Sequence, residues 1–146
     1  MKISDLNQLK GQMKTAARDW AFAKIDELTT THPRLVPVSV YLRRGVTNLI
    51  ARYDEQMNRT IDRLALFLCD ERGVYDTDMI VDDLCEMFDK TPRGETELLG
   101  ATITYGQGEV CIDLPGGAFV ETLLGDLSKI RFTTDDFKEL KTMFNP

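Results

Sequence analysis

The stretch 100–119, GATITYGQGEVCIDLPGGAF, is rich in glycine, the residue that lets a backbone approach a bound phosphate closely. A phosphate-binding P-loop requires Gly-Lys followed by serine or threonine, and this sequence contains no Gly-Lys pair. The dinucleotide pattern GxGxxG would need a glycine where Cys111 stands, and a helix where a strand-like alternation follows. Gly106 and Gly108 are therefore predicted to form a turn between two strands.

A second turn is predicted over Leu114-Pro115-Gly116-Gly117. Proline presets one backbone angle and glycine takes a positive one, which is the requirement of a type II turn. One alternative remains open. A short helix is predicted from Ala118 to Leu124, and its free amides next to Gly116 and Gly117 could hold an anion.

Acidic side chains at four-residue spacing follow one ridge of a predicted third helix. Oxygen ligands suit a divalent cation, but acids along a single helix do not converge on one point, and the EF-hand pattern is absent. We therefore predict a solvated face and no metal site, and a contact with a basic partner is the favoured functional alternative. The ridge consists of Asp78, Asp82, Glu86 and Asp89.

Arginines form a matching basic row on a predicted second helix, at Arg52, Arg59 and Arg63. Glu55 and Asp62 lie among them and no aromatic residues interleave to stack bases, so nucleic acid is not the expected partner. The charge is also divided along the chain: residues 1–63 carry 11 basic against 7 acidic side chains, and residues 64–146 carry 7 against 17. We predict that the arginines pair within the chain or with the acidic half of a neighbouring copy.

The nucleophilic and imidazole groups do not form a recognisable catalytic set. His32 is the single histidine and precedes Pro33 at the end of a predicted helix, so a second imidazole for a metal site or relay is missing. Cys69, Cys85 and Cys111 each lie beside apolar residues and are predicted to be small buried hydrophobes. No enzymatic activity and no cofactor are therefore expected.

The composition is that of a globular protein, with 42% hydrophobic and 29% charged residues and a net charge of −6 over 146 residues. No apolar run approaches the roughly 20 residues that a membrane span needs, and the start, MKISDLNQLK, lacks a secretory signal pattern. We expect a cytoplasmic protein without membrane contact.

Two long antiparallel helices are predicted in the N-terminal half. The first runs from about Ser4 to Leu28, where the threonines and proline of Thr29–Pro33 are expected to end it. The second is predicted as one continuous element over Val38–Cys69, about 45 Å long at 1.5 Å per residue. A helix of that length exceeds a compact domain of this size, so part of its apolar stripe is expected to face another subunit.

A shorter third helix, a small antiparallel sheet and C-terminal helices complete the predicted α+β fold. Asp76 is placed to cap the third helix, which ends at Thr91–Gly94. The sheet is predicted as a hairpin with a third strand over Lys129–Phe132. If Gln107 and Gly108 form the hairpin turn, Tyr105 faces Val110, Ile103 faces Ile112 and Ala101 faces Leu114, whereas a Gly106–Gln107 turn would slide the pairing by two residues and keep the same apolar side. Thr133 opens the last helix, with Asp136 in capping-box position. The chain is predicted to be one domain, 1–146, with a helical sub-lobe 1–93 and a mixed sub-lobe 94–146.

The function predicted from these features is a non-catalytic interaction or assembly module that associates with itself or another protein through the second helix. A structural component of a bacteriophage or mobile element is one setting for such a small protein without motifs, and no particular residue indicates it. Alternatives are a helical module that binds nucleic acid or another anion, and an enzyme of unrecognised type. Replacing Met57 or Ile61 by lysine is expected to break the fold or the assembly. The predicted interaction residues are Arg52, Met57, Arg59, Ile61, Arg63, Asp78, Asp82 and Glu86.

Overall fold

The structure is a computed structural model that describes residues 1–98, 100–114 and 129–144. Its contacts group the chain into two units, one of Met1–Ile80 with Glu139–Pro146 and one of Val81–Lys138. The predicted α+β class is confirmed, since helices build most of the first unit and a four-stranded antiparallel sheet lies in the second. The single-domain prediction stays a prediction. The predicted helix at 118–124 and the glycines of the turn at 114–117, with the anion alternative, lie outside the described residues.

Helix α1 spans Leu6–Thr31 and is capped by Asp5, whose carboxylate accepts the backbone N–H of Asn7 at 2.9 Å. It extends three residues beyond the predicted end at Leu28. The threonines of its last turn do not stop it, because their hydroxyl groups donate to backbone carbonyls three or four residues earlier, at 2.8–3.0 Å. The helix ends at His32, before the fixed backbone angle of Pro33.

The prediction of one continuous helix over Val38–Cys69 is wrong. A 3-10 helix, Pro33–Val38, leads into α2, Ser39–Arg52, and α3 spans Asp54–Leu68. The break is at Tyr53, whose φ of −99° and ψ of 15° depart from helical values. Periodicity could not reveal it, because the backbone bonds from Tyr53 N–H to Leu49 and from Met57 N–H to Tyr53, both 3.0 Å, keep helical spacing.

Ion pairs show that α2 and α3 both run antiparallel to α1. Lys10 pairs with Asp62 and Lys14 with Asp54, each at 2.5 Å, and Asp26 pairs with Arg43. As the residue number rises along α1, the number of its partner falls. Pairs this exposed contribute about 0.2–1 kcal/mol each, so they report the alignment of the helices more than their stability.

Gly45 lies inside α2, and no atom lies within 4 Å of the position that a Cβ would occupy there. We expect Gly45→Ala to raise the free energy of unfolding by about 0.5–1 kcal/mol, because alanine restricts the unfolded chain and favours helix without a clash. Urea denaturation of the two proteins measures the difference. A loss of stability would mean that a neighbouring segment or second copy approaches this glycine.

A two-stranded β-sheet pairs the start of the chain with the residues just before α4. Strand β1, Lys2–Ile3, is antiparallel to β2, Tyr75–Asp76, and neither strand was predicted because each has only two residues. Helix α4 spans Thr77–Lys90, and the predicted Asp76 cap is confirmed by its bond from the Asp78 N–H at 3.1 Å.

The sheet of the second unit has the order β3-β4-β5-β6, with every neighbouring pair antiparallel. Strands β4, Ala101–Gly106, and β5, Glu109–Asp113, form the predicted hairpin, and β6 spans Lys129–Thr133. Strand β3, Gly94–Leu98, was not predicted. Its glycine and glutamates have low strand propensity, so its conformation depends on pairing with β4.

The register of the hairpin confirms the pairs Tyr105–Val110 and Ile103–Ile112. The pair of Ala101 with Leu114 is not formed, because β5 ends at Asp113 and Ala101 lies opposite Leu98. Gln107 and Gly108, with φ of 52° and 78°, form the type I′ turn that hairpins favour. Gly106 next to this turn is also required, because a Cβ there would lie 2.5 Å from the Pro92 carbonyl oxygen.

The predicted capping box after β6 is confirmed. The Asp136 carboxylate accepts the backbone N–H of Thr133 at 2.8 Å, at the start of helix α5, Thr134–Lys138. A 3-10 helix, Glu139–Met143, follows and belongs to the first unit. Within the part of the chain that the structure describes, no helix is both long enough and apolar enough to cross a membrane.

Candidate functional site

The single histidine and the three cysteines lie on different helices and strands or at their ends. His32 caps α1 and is half-buried, while Cys85 is buried and its thiol lies 4.0 Å from the carbonyl oxygen of Thr134. Cys69 and Cys111 are half-buried free thiols. Among the described residues, no group of three or more histidine, cysteine, aspartate or glutamate side chains could hold a metal ion.

The acidic ridge of α4 is exposed to solvent, as the sequence predicted. Asp78 and Asp82 are exposed, Glu86 pairs with Lys90 at 3.1 Å, and Asp89 accepts the hydroxyl of Thr134. Two large apolar side chains, Met79 and Met87, are also exposed on this helix. A contact role for the ridge stays a prediction.

An open depression of about 600 Å³ lies on the first unit, lined by residues of the C-terminal half of α1. Its polar side chains already have partners: Asp26 pairs with Arg43, Glu27 pairs with Lys24 at 3.4 Å, and Thr30 and Thr31 bond to backbone carbonyls. A ligand would have to displace these contacts, so the depression is not a candidate site.

Lys24 is the most buried charged side chain of the described residues, and its contacts are structural. Burial acts to lower the pKa of Lys24, but its bonds and attraction to Glu139 and Glu27 outweigh burial and leave that pKa raised. The 2.6 Å contact with Glu139 joins α1 to the C-terminal 3-10 helix, and the ammonium lies 5.7 Å from the Trp20 ring centroid. A lysine held protonated in this way is not an activated nucleophile.

The most unusual surface of the first unit is the side of α2 and α3 that carries their exposed residues. These residues recur every three or four positions and continue in phase across the break at Tyr53, so one face runs through both helices. We call this face the outer stripe. It consists of Val40, Tyr41, Arg44, Thr47, Asn48, Ala51, Arg52, Glu55, Gln56, Arg59, Thr60, Arg63, Leu66 and Phe67.

Both ends of the outer stripe are apolar. Leu66 and Phe67 are 86% and 81% exposed, and Val40 and Tyr41 at the other end are 58% and 68% exposed. Single exposed apolar residues are common on protein surfaces, but adjacent pairs with most of their surface in water are typical of contact sites. The middle of the stripe is charged, with four arginines and one acidic residue, Glu55.

The structure separates the predicted interaction residues of the second helix into two groups. Arg52, Arg59 and Arg63 are exposed on the outer stripe, and Arg59 pairs with Glu55 at 3.4 Å. Met57 is half-buried, and Ile61 is only 6% exposed, so Ile61 is a core residue of this chain.

Sequence reasoning missed Leu66 and Phe67 as surface residues. It placed Leu64, Phe67 and Leu68 on the apolar stripe of the predicted second helix and gave Leu66 no role, although the apolar run LALFL, 64–68, covers more than one side of a helix. The length of that apolar run was the available signal.

Comparisons of the chain with protein families, with curated proteins and with solved structures find no match.

Proposed function

We propose that this chain is a non-catalytic assembly module that associates with further copies of itself through the outer stripe. The observation that carries the proposal is the exposure of Leu66 and Phe67, 86% and 81%, at the end of a helix whose opposite face is packed. The nucleophilic and charged groups described above are engaged in structural contacts or isolated, which supports a role in binding over one in chemistry.

The exposed apolar surface is large enough to support association. Covering one side chain of this kind gains about 1.5 kcal/mol at partial burial. The four apolar residues at the ends of the stripe are present in both copies of a pair, so the gross gain is on the order of 12 kcal/mol. That gain is comparable with the roughly 4–15 kcal/mol that association costs in lost freedom of motion.

Helix length does not support self-association. Since α2 and α3 are separate helices of 14 and 15 residues, each about 21 to 23 Å long, neither exceeds the size of its own domain. The support comes instead from which residues remain exposed after α1 has packed against the other side.

Sedimentation equilibrium of the unmodified chain at micromolar concentrations tests the proposal. We expect a species of at least twice the chain mass of 16.6 kDa that dissociates on dilution. A monomer of 16.6 kDa across the whole concentration range would refute self-association.

A further inference from the structure

We infer that two copies pair antiparallel along their outer stripes, about a twofold axis that passes beside Tyr53, to form a closed dimer. This inference deepens the proposed function and rests on it. The spacing of the apolar ends and the order of the charges between them identify a second copy as the partner and indicate its orientation.

The apolar ends lie at nearly equal distances from Tyr53. Tyr41 is 12 positions before it and Leu66 is 13 positions after it, which places each about 18–20 Å along the helices from the proposed axis. A second copy running in the opposite direction therefore brings Leu66 onto Tyr41, and the symmetry repeats the contact at the other end. Val40 and Phe67 meet in the same way.

The same register places exposed residues of one stripe opposite exposed residues of the other. Thr47 meets Thr60 of the second copy, Asn48 meets Arg59, and Ala51 meets Gln56. No buried residue has to become exposed for this contact to form. Each chain therefore keeps the packing that it has as a monomer.

Charge order favours the antiparallel pairing over a parallel one. In the antiparallel register Arg52 faces Glu55 of the second copy, and this pair occurs twice by symmetry. In a parallel register the apolar ends also meet, but Arg52, Arg59 and Arg63 each face their own counterpart, which is repulsive. The antiparallel register also places Arg44 against Arg63, and this like-charge contact likewise occurs twice, but the parallel register would place all four arginines of the stripe against their own counterparts.

Cysteine cross-linking tests the orientation. Asn48 and Arg59 are exposed, polar and away from the apolar ends, and their 11-position separation along the helices, about 16 Å, prevents a disulfide within one chain. We expect the double variant Asn48→Cys with Arg59→Cys to form a covalent dimer under mild oxidation. Each single variant, and the unmodified chain with its three native cysteines, should stay non-covalent.

The outcomes separate this inference from the proposed function. Cross-linking of a single variant through identical positions would show a parallel pair, and a dimer by sedimentation without cross-linking in the double variant would show a different interface. Either result overturns the antiparallel arrangement while self-association stands. Open-ended polymers in place of a closed dimer would also overturn it, and a monomer at every concentration would overturn both.

A charge exchange gives a second, independent measurement. Arg52→Glu should weaken dimerisation about fivefold, because it places glutamate against Glu55 of the second copy. Adding Glu55→Arg should restore the affinity, since the pair is then reversed but intact. Failure of the second substitution to restore binding would mean that these residues do not meet across the interface.

Discussion

The double substitution Leu66→Glu with Phe67→Glu is expected to yield a folded monomer. Both side chains are more than four-fifths exposed, so their replacement removes little packing within the chain. In the proposed dimer the same positions are covered, and losing four apolar contacts there costs at least 3 kcal/mol, which is a factor of more than 100 in the dissociation constant. Sedimentation equilibrium measures the association, and far-UV circular dichroism verifies that the helices are retained.

The matched control is Met79→Glu with Met87→Glu. These methionines are 62% and 51% exposed on α4, so the control removes two exposed apolar side chains and adds two negative charges on a helix that does not carry the outer stripe. We expect it to associate as the unmodified chain does. If the control dissociates while the Leu66–Phe67 variant remains a dimer, the interface lies on α4 and the outer stripe is not the contact surface.

Ile61→Lys is expected to unfold the protein rather than dissociate it. Ile61 lies on the inner side of α3 and is 6% exposed, so the substitution removes a buried apolar side chain and introduces an unpaired charge. The two effects together cost about 4 kcal/mol or more, which is a large fraction of the roughly 5–15 kcal/mol by which an ordinary domain is stable. Urea denaturation followed by circular dichroism measures the loss.

Ile61→Val is the control for this second prediction. It keeps the site apolar and removes one methylene group, so the free energy of unfolding should fall by only about 0.5–1.5 kcal/mol. A folded Ile61→Lys protein of normal stability that has lost self-association would contradict the burial of this residue. It would instead support the assignment from the sequence, in which Ile61 is an interaction residue.

The two predictions concern residues that the sequence did not distinguish. Ile61 and Phe67 both belong to the apolar pattern of the same helix, and hydrophobic spacing assigned both to one stripe. In the structure one is core and the other is surface. Mutations at the two positions should therefore act on different equilibria, one on folding and one on association.

The sequence by itself determined the features that a few neighbouring residues control. The cap of α4 at Asp76, the even length of the hairpin loop, and the capping box of Thr133 with Asp136 were predicted correctly. Each depends on a side chain that bonds to backbone two or three residues away, or on the backbone angles that one residue type adopts. Of the two hairpin registers that such a loop allows, the structure has the one with its turn at Gln107–Gly108.

Only the tertiary structure decided which faces are covered. The inner side of α2 and α3 is set by contacts with α1 across roughly 40 residues or more of chain at Lys14–Asp54 and Lys10–Asp62, and β3 is a strand because β4 pairs with it. No proline or glycine lies next to Tyr53, so the sequence does not predict the break there. Burial is a property of what another segment covers, so a periodic pattern shows that a face is apolar without showing whether a neighbour lies on it.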